Sequence, residues 1–488
     1  MSSKTRRKPT DIPKTETPPA APEARSRLAY ALASVLLLIP CNWQPRIEAG
    51  DLSSHVYNAW LAQLIGKGQA PGLAIARQTT NILFDLVLGG LMRLAGPGAA
   101  ERIAVSLCVL TFAWGAFAFV SVVAGRRAWH MLPAIAMLAY GWVYHMGFFN
   151  FYWSLGMCFG ALALLWNPTP RRMAAAVALL ALAYLTHALP VAWTLGVLLY
   201  RWLARRATPR QQLYQMGAAA LAIFAVRMVL GSLMFTRWVP AQIILAAGVD
   251  QISVFDGKYA FPLVGLLMIW VLLLLGCPVR RVLTGIPFQV CVLTAFAIFT
   301  LPLGVLLPGY KHLLSFIPHR MSLALAICLC AVLAGGRVRR FQHYLAAAVA
   351  LVFFGFLFRD EMVLNDVERQ MAEVVERLPA GQRVINGVAS PDLRIDPLTH
   401  MIDRVCVGRC YSYANYEPST AQFRVRATAE NPIVVSVYED SFAMQSGSYV
   451  VKLGDVPLYE VMYSPSTQLF LRSLAPGTAC GVTYWDPL

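Results

Sequence analysis

Apolar runs of about 16–25 residues recur along this chain, separated by short polar and basic connections. A run of that length crosses the hydrocarbon of a bilayer as one helix. From Arg126 onward the pattern predicts spans at roughly 130–147, 149–167, 173–187, 188–204, 213–234, 259–277, 283–305, 317–336 and 341–358. The stretch 173–204 is one apolar run with Thr186-His187-Ala188-Leu189-Pro190 at its centre. As one helix it would be about 48 Å long, so two helices meeting at His187 are expected. After residue 358 the character changes. Met362, Val367, Met371, Val374 and Val375 recur at helical spacing. Short β-rich stretches follow at 383–385, 422–427, 433–438, 448–453 and 458–463, with turn residues between them. These predict a small soluble α+β domain over 359–488.

Three further apolar segments precede Arg126, at 28–43, 79–96 and 103–125. Charge decides how many of them cross. Basic clusters lie at Lys4/Arg6/Arg7/Lys8, Arg126/Arg127, Arg171/Arg172, Arg201/Arg205/Arg206, Arg280/Arg281 and Arg337/Arg339/Arg340. The positive-inside rule places all of them in the cytoplasm, which requires two crossings before Arg126. The weakest segment is 79–96, with Asp85 at its middle, Gly89-Gly90 and Arg93. A central Asp costs roughly 2.5–3.5 kcal/mol to insert. This segment is therefore expected as a helix lying on the outer face. Helix 52–66 joins it there, with Leu52, Val56, Trp60 and Leu64 on one side. The expected architecture is an all-α polytopic membrane domain over 27–358. It has about eleven spans and a long first external loop, 44–102. Parity puts the N-terminus in the cytoplasm and the α+β domain outside.

Composition agrees with this class. The 488 residues are 58% hydrophobic and only 14% charged, against about a quarter charged in soluble proteins. The net charge of +16 resides in the topogenic clusters and forms no basic stripe interleaved with aromatics, so nucleic acid is not an expected partner. Residues 1–26 are rich in Pro, Lys, Thr and Ala and read as a disordered cytoplasmic tail. The run that follows lacks a small-residue cleavage site and is expected to be retained. Seven of the ten cysteines lie in or beside apolar runs, as packing residues do. Cys406, Cys410 and Cys480 lie in the polar part, where Cys406 and Cys410 are close enough in sequence for a small-loop disulfide.

Candidate chemistry gathers where the first span ends. Glu48-Ala49-Gly50-Asp51-Leu52-Ser53-Ser54-His55 brings together two carboxylates and an imidazole, and Tyr57 and Asn58 follow. Asp51 and His55 share a helix face if the helix starts near Asp51. Asp51 also suits the bland role of helix N-cap. An acid here serves either as general base on an acceptor hydroxyl or as ligand for a divalent metal, Mg2+ or Mn2+, with His55 assisting. The same expected face collects Arg77, His145, Asn150, His187, Lys311, His312, His319 and Arg320. Five of the eight histidines lie at these helix ends. A lone histidine there is usually structural, but five on one side point to a polar cavity. Arg227 stands alone inside an apolar run, as an anion clamp or a snorkelling side chain.

Taken together, Glu48, Asp51, His55, Tyr57, helix 79–96 and the Glu101-Arg102 entry to the second span resemble the GT-C superfamily of integral-membrane glycosyltransferases. The resemblance covers 28–358 as architecture and 44–102 as motif. It implies a sugar donor carried on polyprenyl phosphate, a catalytic or metal-binding acid in the first loop, and a glycan, lipid or protein acceptor. It also implies transfer on the outer face of a membrane, read here as a bacterial inner membrane with the C-terminal domain in the periplasm. Many members carry two adjacent acids in this loop, whereas here Asp51 is followed by Leu52 and the other acid, Glu48, lies three residues earlier. On this expectation Asp51, His55 and Glu48 are catalytic. Arg227, Lys311, His312, Arg320, His145, His187, Asn150 and Arg77 bind substrate, and the displacement inverts the sugar carbon. Two other classes fit the composition. A lipid or solute transporter would show internal repeats and midplane charges, and no convincing repeat is present. A non-catalytic scaffold would use its external domain, where Tyr411-Ser412-Tyr413-Ala414-Asn415-Tyr416 reads either as a contact surface or, preferably, as core.

Overall fold

The computed structural model describes residues 23–278, 282–466 and 468–485. The expected tail, the first basic cluster and Arg280/Arg281 lie outside these, apart from residues 23–26 of the tail, where the first helix begins.

The chain is mostly helical. Five helices are long and apolar enough to cross a membrane: Leu83–Ala124, Phe149–Trp166, Pro209–Leu233, Gly257–Leu275 and Arg340–Val375. Four shorter apolar helices accompany them, at Ser26–Leu38, Ala188–Ala204, Ile286–Thr300 and Ile317–Leu333. This is a membrane protein's set of helices, but the expected eleven crossings are not each matched by a helix of spanning length. The stretch 130–147 shows why. It breaks into Trp129–Met131, Leu132–Ala139 and Trp142–His145. At Gly141 a side chain would lie 2.6 Å from the Gln251 carbonyl oxygen, so the backbone bends against its neighbour there. By contrast, Pro170–Thr186 and Ala188–Ala204 do meet at His187, which is extended at φ −165° and ψ 129°.

Helix Leu83–Ala124 is two helices joined at a kink. Gly96 has φ 78° and ψ 169°, and Pro97 follows. Proline lacks the N–H for the helical ladder and crowds the preceding turn. Segment 83–95 is thereby a separate helix from the one after Pro97, as its polar content suggested. The second part packs glycine against glycine on Phe149–Trp166, where a side chain at Gly115 would collide with the Gly156 carbonyl. These two helices form the centre of the bundle. Helix Pro209–Leu233 lies at its edge and has no buried residue.

The C-terminal part contains a four-stranded sheet. Label its strands β1 (Arg383–Asn386), β2 (Tyr411–Ser412), β3 (Leu458–Ser464) and β4 (Gln468–Leu474), in the spatial order β2-β1-β3-β4. The first two pairings are parallel and β3-β4 is an antiparallel hairpin. Strands at 383–386 and 458–464 follow the expected pattern. The stretches 433–438 and 448–453 form no regular strand. Asn431 explains the first, because its side-chain oxygen accepts from the Ile433 and Val434 N–H groups and turns the chain. A helix the periodicity did not predict, Leu398–Cys406, packs beneath the sheet and buries Leu398, Met401, Ile402 and Cys406. A Cys406–Cys410 disulfide closes its end.

This part is joined to the bundle by more than a linker. Helix Arg340–Val375 runs without a break for 36 residues from one into the other. Leu73–Ile75 pairs antiparallel with Val425–Ala427. Helix Leu52–Gly66 is clasped between Leu398–Cys406 and the 83–124 helices. Its apolar residues Leu52 and Val56, expected to rest on lipid, are instead buried in protein. Tyr57 OH accepts from the Ser412 N–H, and Asn415 donates to Asn58. Tyr413 and Asn415 are core residues, which settles most of that aromatic stretch. One core runs through apolar side chains of both parts, and a second, smaller cluster around Tyr413, Val435 and Leu458 lies within the C-terminal part.

Candidate functional site

A cavity of about 300 Å3 opens between the bundle and the C-terminal part. Its walls bring together Asp51, His55, Asn150, His187, His312 and Arg320, six residues from five separate segments of the sequence.

Asp51 stands at the first residue before helix Leu52–Gly66, but its side chain makes no capping hydrogen bond. The capping role is therefore not what occupies its carboxylate. Its backbone is held instead by the turn at 145–147. The Gly50 N–H donates to the His145 carbonyl at 2.7 Å and the Asp51 N–H to the Met146 carbonyl at 3.0 Å. Gly147 makes this approach possible. It has φ +80°, and a side chain there would stand 2.5 Å from the Asp51 nitrogen.

His55 lies one turn on and donates from Nδ1 to Asp85 Oδ1 at 2.7 Å. Asn150 donates to the other Asp85 oxygen at 3.1 Å and accepts from the Phe84 N–H at 3.0 Å. Asp85, which the sequence marked as a bar to membrane insertion, is thus the group that orients His55. Burial alone would lower the His55 pKa, but the Asp85 carboxylate more than offsets it, holding His55 up to about 9.

The C-terminal part supplies groups that sequence reading missed. His400 on helix Leu398–Cys406 donates from Nδ1 to Asp403 Oδ2 at 3.1 Å, and its Nε2 lies 3.9 Å from Asp51 Oδ1. Ser412 donates to the other Asp403 oxygen and fixes it. Against the effect of burial, Asp403 and Asp51 hold His400 up to about 9. Tyr416 packs between His312 and His400 with ring centres at 5.5 and 5.6 Å. Glu417, behind it, accepts from Ser54 and is pushed up to about 7 by burial. The i,i+3 pair His400/Asp403 was the available signal, but no predicted helix carried it.

Two cationic or donor groups face the cavity from the bundle. The Arg320 guanidinium rests 3.7 Å above the Phe148 ring centre, and its buried Nε has no acceptor among the described residues. His187 caps its helix by accepting the Leu189 N–H at Nδ1, 3.2 Å away. When neutral, this leaves the proton on Nε2, as a donor. Directly beside Arg320, residues Ile317, Pro318 and Met321 form part of a second cavity of about 530 Å3. That groove is almost wholly apolar and runs between helices Ala188–Ala204, Pro209–Leu233 and Ile286–Thr300.

Five expected site residues are not in the cavity. Glu48 is 1% exposed and belongs to a buried charge cluster outside the cavity lining. Arg404 bridges Glu48 at 3.1 Å, Glu101 at 2.9 Å and also Glu368, and Arg46 pairs with Glu368 at 2.8 Å. Burial and the neighbouring Glu368 raise the Glu48 pKa. The cluster ties the C-terminal part to the end of the first helix. His145 is fully buried, with Nδ1 on the Glu48 carbonyl at 3.2 Å. Arg227 lies on the peripheral helix with its guanidinium 4.6 Å from the Trp238 ring centre, so it stacks and does not reach the cavity. Lys311 and Arg77 are exposed and stand outside the lining.

Asp51 is the one carboxylate of the cavity lining among the described residues, where a hard divalent cation is held by several oxygen donors. Among the described residues no three His, Cys, Asp or Glu side chains converge as ligands. One carboxylate flanked by cations suits a different task, which is binding an anionic group beside a single proton acceptor.

No protein-family model, no curated protein and no solved structure matches the chain.

Proposed function

We propose that the protein is a membrane glycosyltransferase that moves a sugar from a polyprenyl-phosphate donor to an acceptor hydroxyl, with inversion. The observation that carries this reading is Arg320. Its guanidinium, whose Nε has no acceptor among the described residues, lines the cavity that holds Asp51, while its sequence neighbours line an apolar groove. A donor with an apolar tail and an anionic head needs that juxtaposition.

In this reading the polyprenyl tail lies in the groove and the phosphate meets Arg320 and the Nε2 proton of His187. Asp51, across the cavity, takes the acceptor's proton. The acceptor oxygen bonds to the anomeric carbon as the bond from that carbon to the phosphate oxygen breaks. The phosphate leaves with the bonding pair, and the proton ends on Asp51. His55 and His400 stand on the Asp51 side, where His400 Nε2 lies 3.9 Å from Asp51 Oδ1 and can orient it. Fixed donors aimed at developing charge are commonly the largest part of such catalysis. The chain is then a bacterial inner-membrane protein with the cavity on the periplasmic side. A transporter reading gains nothing, since the polar residues meet at one end of the bundle beside the C-terminal part.

The test uses the full chain in proteoliposomes with a panel of short-chain polyprenyl-phosphate hexoses and pentoses and a mixture of bacterial envelope glycans, lipids and peptides as acceptors. Release of polyprenyl phosphate is followed. Asp51→Asn should reduce it at least a hundredfold. Wild-type rates in that variant would rule the mechanism out.

A further inference from the structure

The cavity has two unlike sides. The bundle contributes the cation, whose sequence neighbours Ile317, Pro318 and Met321 line the apolar groove. The C-terminal part contributes four aromatic rings, Tyr416, Phe423, Tyr438 and Phe442, with the amides of Gln422 and Gln445 among them. We infer that this second side is a saccharide-binding subsite and that the acceptor hydroxyl belongs to a sugar. The inference rests on the transferase reading for the acceptor role, though not for the binding.

Sugar rings expose C–H faces and an edge of hydroxyls. Aromatic faces take the first, and amides, phenols and imidazoles take the second. The residues are arranged for both. Tyr438 and Phe442 are four apart on helix Tyr438–Gln445 and so share a face. Phe442 is 61% exposed, at the rim of the cavity. A phenylalanine left in water there is a ready platform for the apolar face of a ring. Tyr416 and Phe423 meet edge to face at 5.7 Å deeper in. Tyr438 OH shares a 2.7 Å hydrogen bond with His312 Nδ1, which fixes both at the edge. The buried Gln422 Oε1 has no donor among the described residues.

The other acceptor classes fit less well. A lipid acceptor would continue the apolar lining, but that lining runs away from this side, between the bundle helices. A peptide acceptor needs an extended cleft, and a cavity of about 300 Å3 is nearer the size of a few sugar rings.

The experiment has two readouts on detergent-purified full-length protein. Binding is measured directly on an array of bacterial envelope oligosaccharides, with synthetic peptides as comparison. Transfer is measured with the donor panel above, adding the oligosaccharides that bind. The wild type should bind saccharides and transfer to them. Phe442→Ala should weaken binding and raise the acceptor KM about tenfold, and Phe442→Trp should restore both. Because Phe442 is exposed, the variant should fold. Binding of peptides but not saccharides, or unchanged affinity in Phe442→Ala, overturns the inference. Saccharide binding without donor consumption would overturn the transferase reading and leave the subsite standing. Donor consumption without saccharide binding would do the reverse.

Discussion

Replacing Gly147 by alanine tests whether the site is built as described. Gly147 has φ +80°, and a Cβ there would lie 2.5 Å from the Asp51 nitrogen, 2.8 Å from the Leu52 nitrogen and 2.9 Å from the Asp51 Cα. All three are backbone atoms, so no side chain can swing aside. The left-handed conformation alone costs alanine about 1–2 kcal/mol. Ordinary contact then requires the turn and the Asp51 backbone to part by roughly 1 Å. A displacement of that size at a reacting group can cost about a hundredfold in rate. Gly68 is the control, because it has φ +71° with nothing within 4 Å of its Cβ position. Both variants should lose stability, measured as thermal unfolding in detergent. Only Gly147→Ala should also lose sugar transfer, by about a hundredfold. Equal activity in the two variants would show that the 145–147 turn does not position Asp51.

Arg404→Ala leaves the carboxylates of Glu48 and Glu101 without their cation, a loss of about 3–5 kcal/mol. It should lower the unfolding temperature sharply, and adding Glu48→Gln should recover part of the loss. Arg320→Gln should raise the KM for the polyprenyl-phosphate donor at least tenfold, in kinetics with the donor varied. His55 and His400 both have folded pKa values of about 9, above the ordinary value near 6.5. Their stabilising contribution is full below about pH 6.5 and is lost as pH rises through about 9. Thermal stability should therefore weaken steadily between those values. A flat profile would mean that the two imidazoles are neutral in the folded state.

Much of the bundle was legible because lipid-length apolar runs are local signals. The two helices meeting at His187 followed from run length alone. The broken stretch 130–147 did not, because its break answers a contact with Gln251 that no local window contains. The site was half legible for the same reason. Asp51, His55, Asn150, His187, His312 and Arg320 all sit at or near helix ends, where the topology rule could sort them. His400 and Tyr416 come from the C-terminal part, and their approach to Asp51 depends on a helix that period counting overlooked. Glu48 looked catalytic by proximity to Asp51, but three residues are enough to bury it outside the cavity lining, paired with Arg404. Arg227 looked exceptional because an arginine in an apolar run is costly, yet Trp238 shields it at the edge of the bundle.

The short pairing of Leu73–Ile75 with Val425–Ala427 has a consequence in time. Its two partners are roughly 350 residues apart, so at about 5–20 residues per second the ribosome takes some tens of seconds to deliver the second strand after the first. During that interval the earlier strand has an open edge, and Asp51 faces a pocket with one wall. The complete cavity thus arrives late in synthesis, and a chain cut short before residue 400 would carry only half its lining.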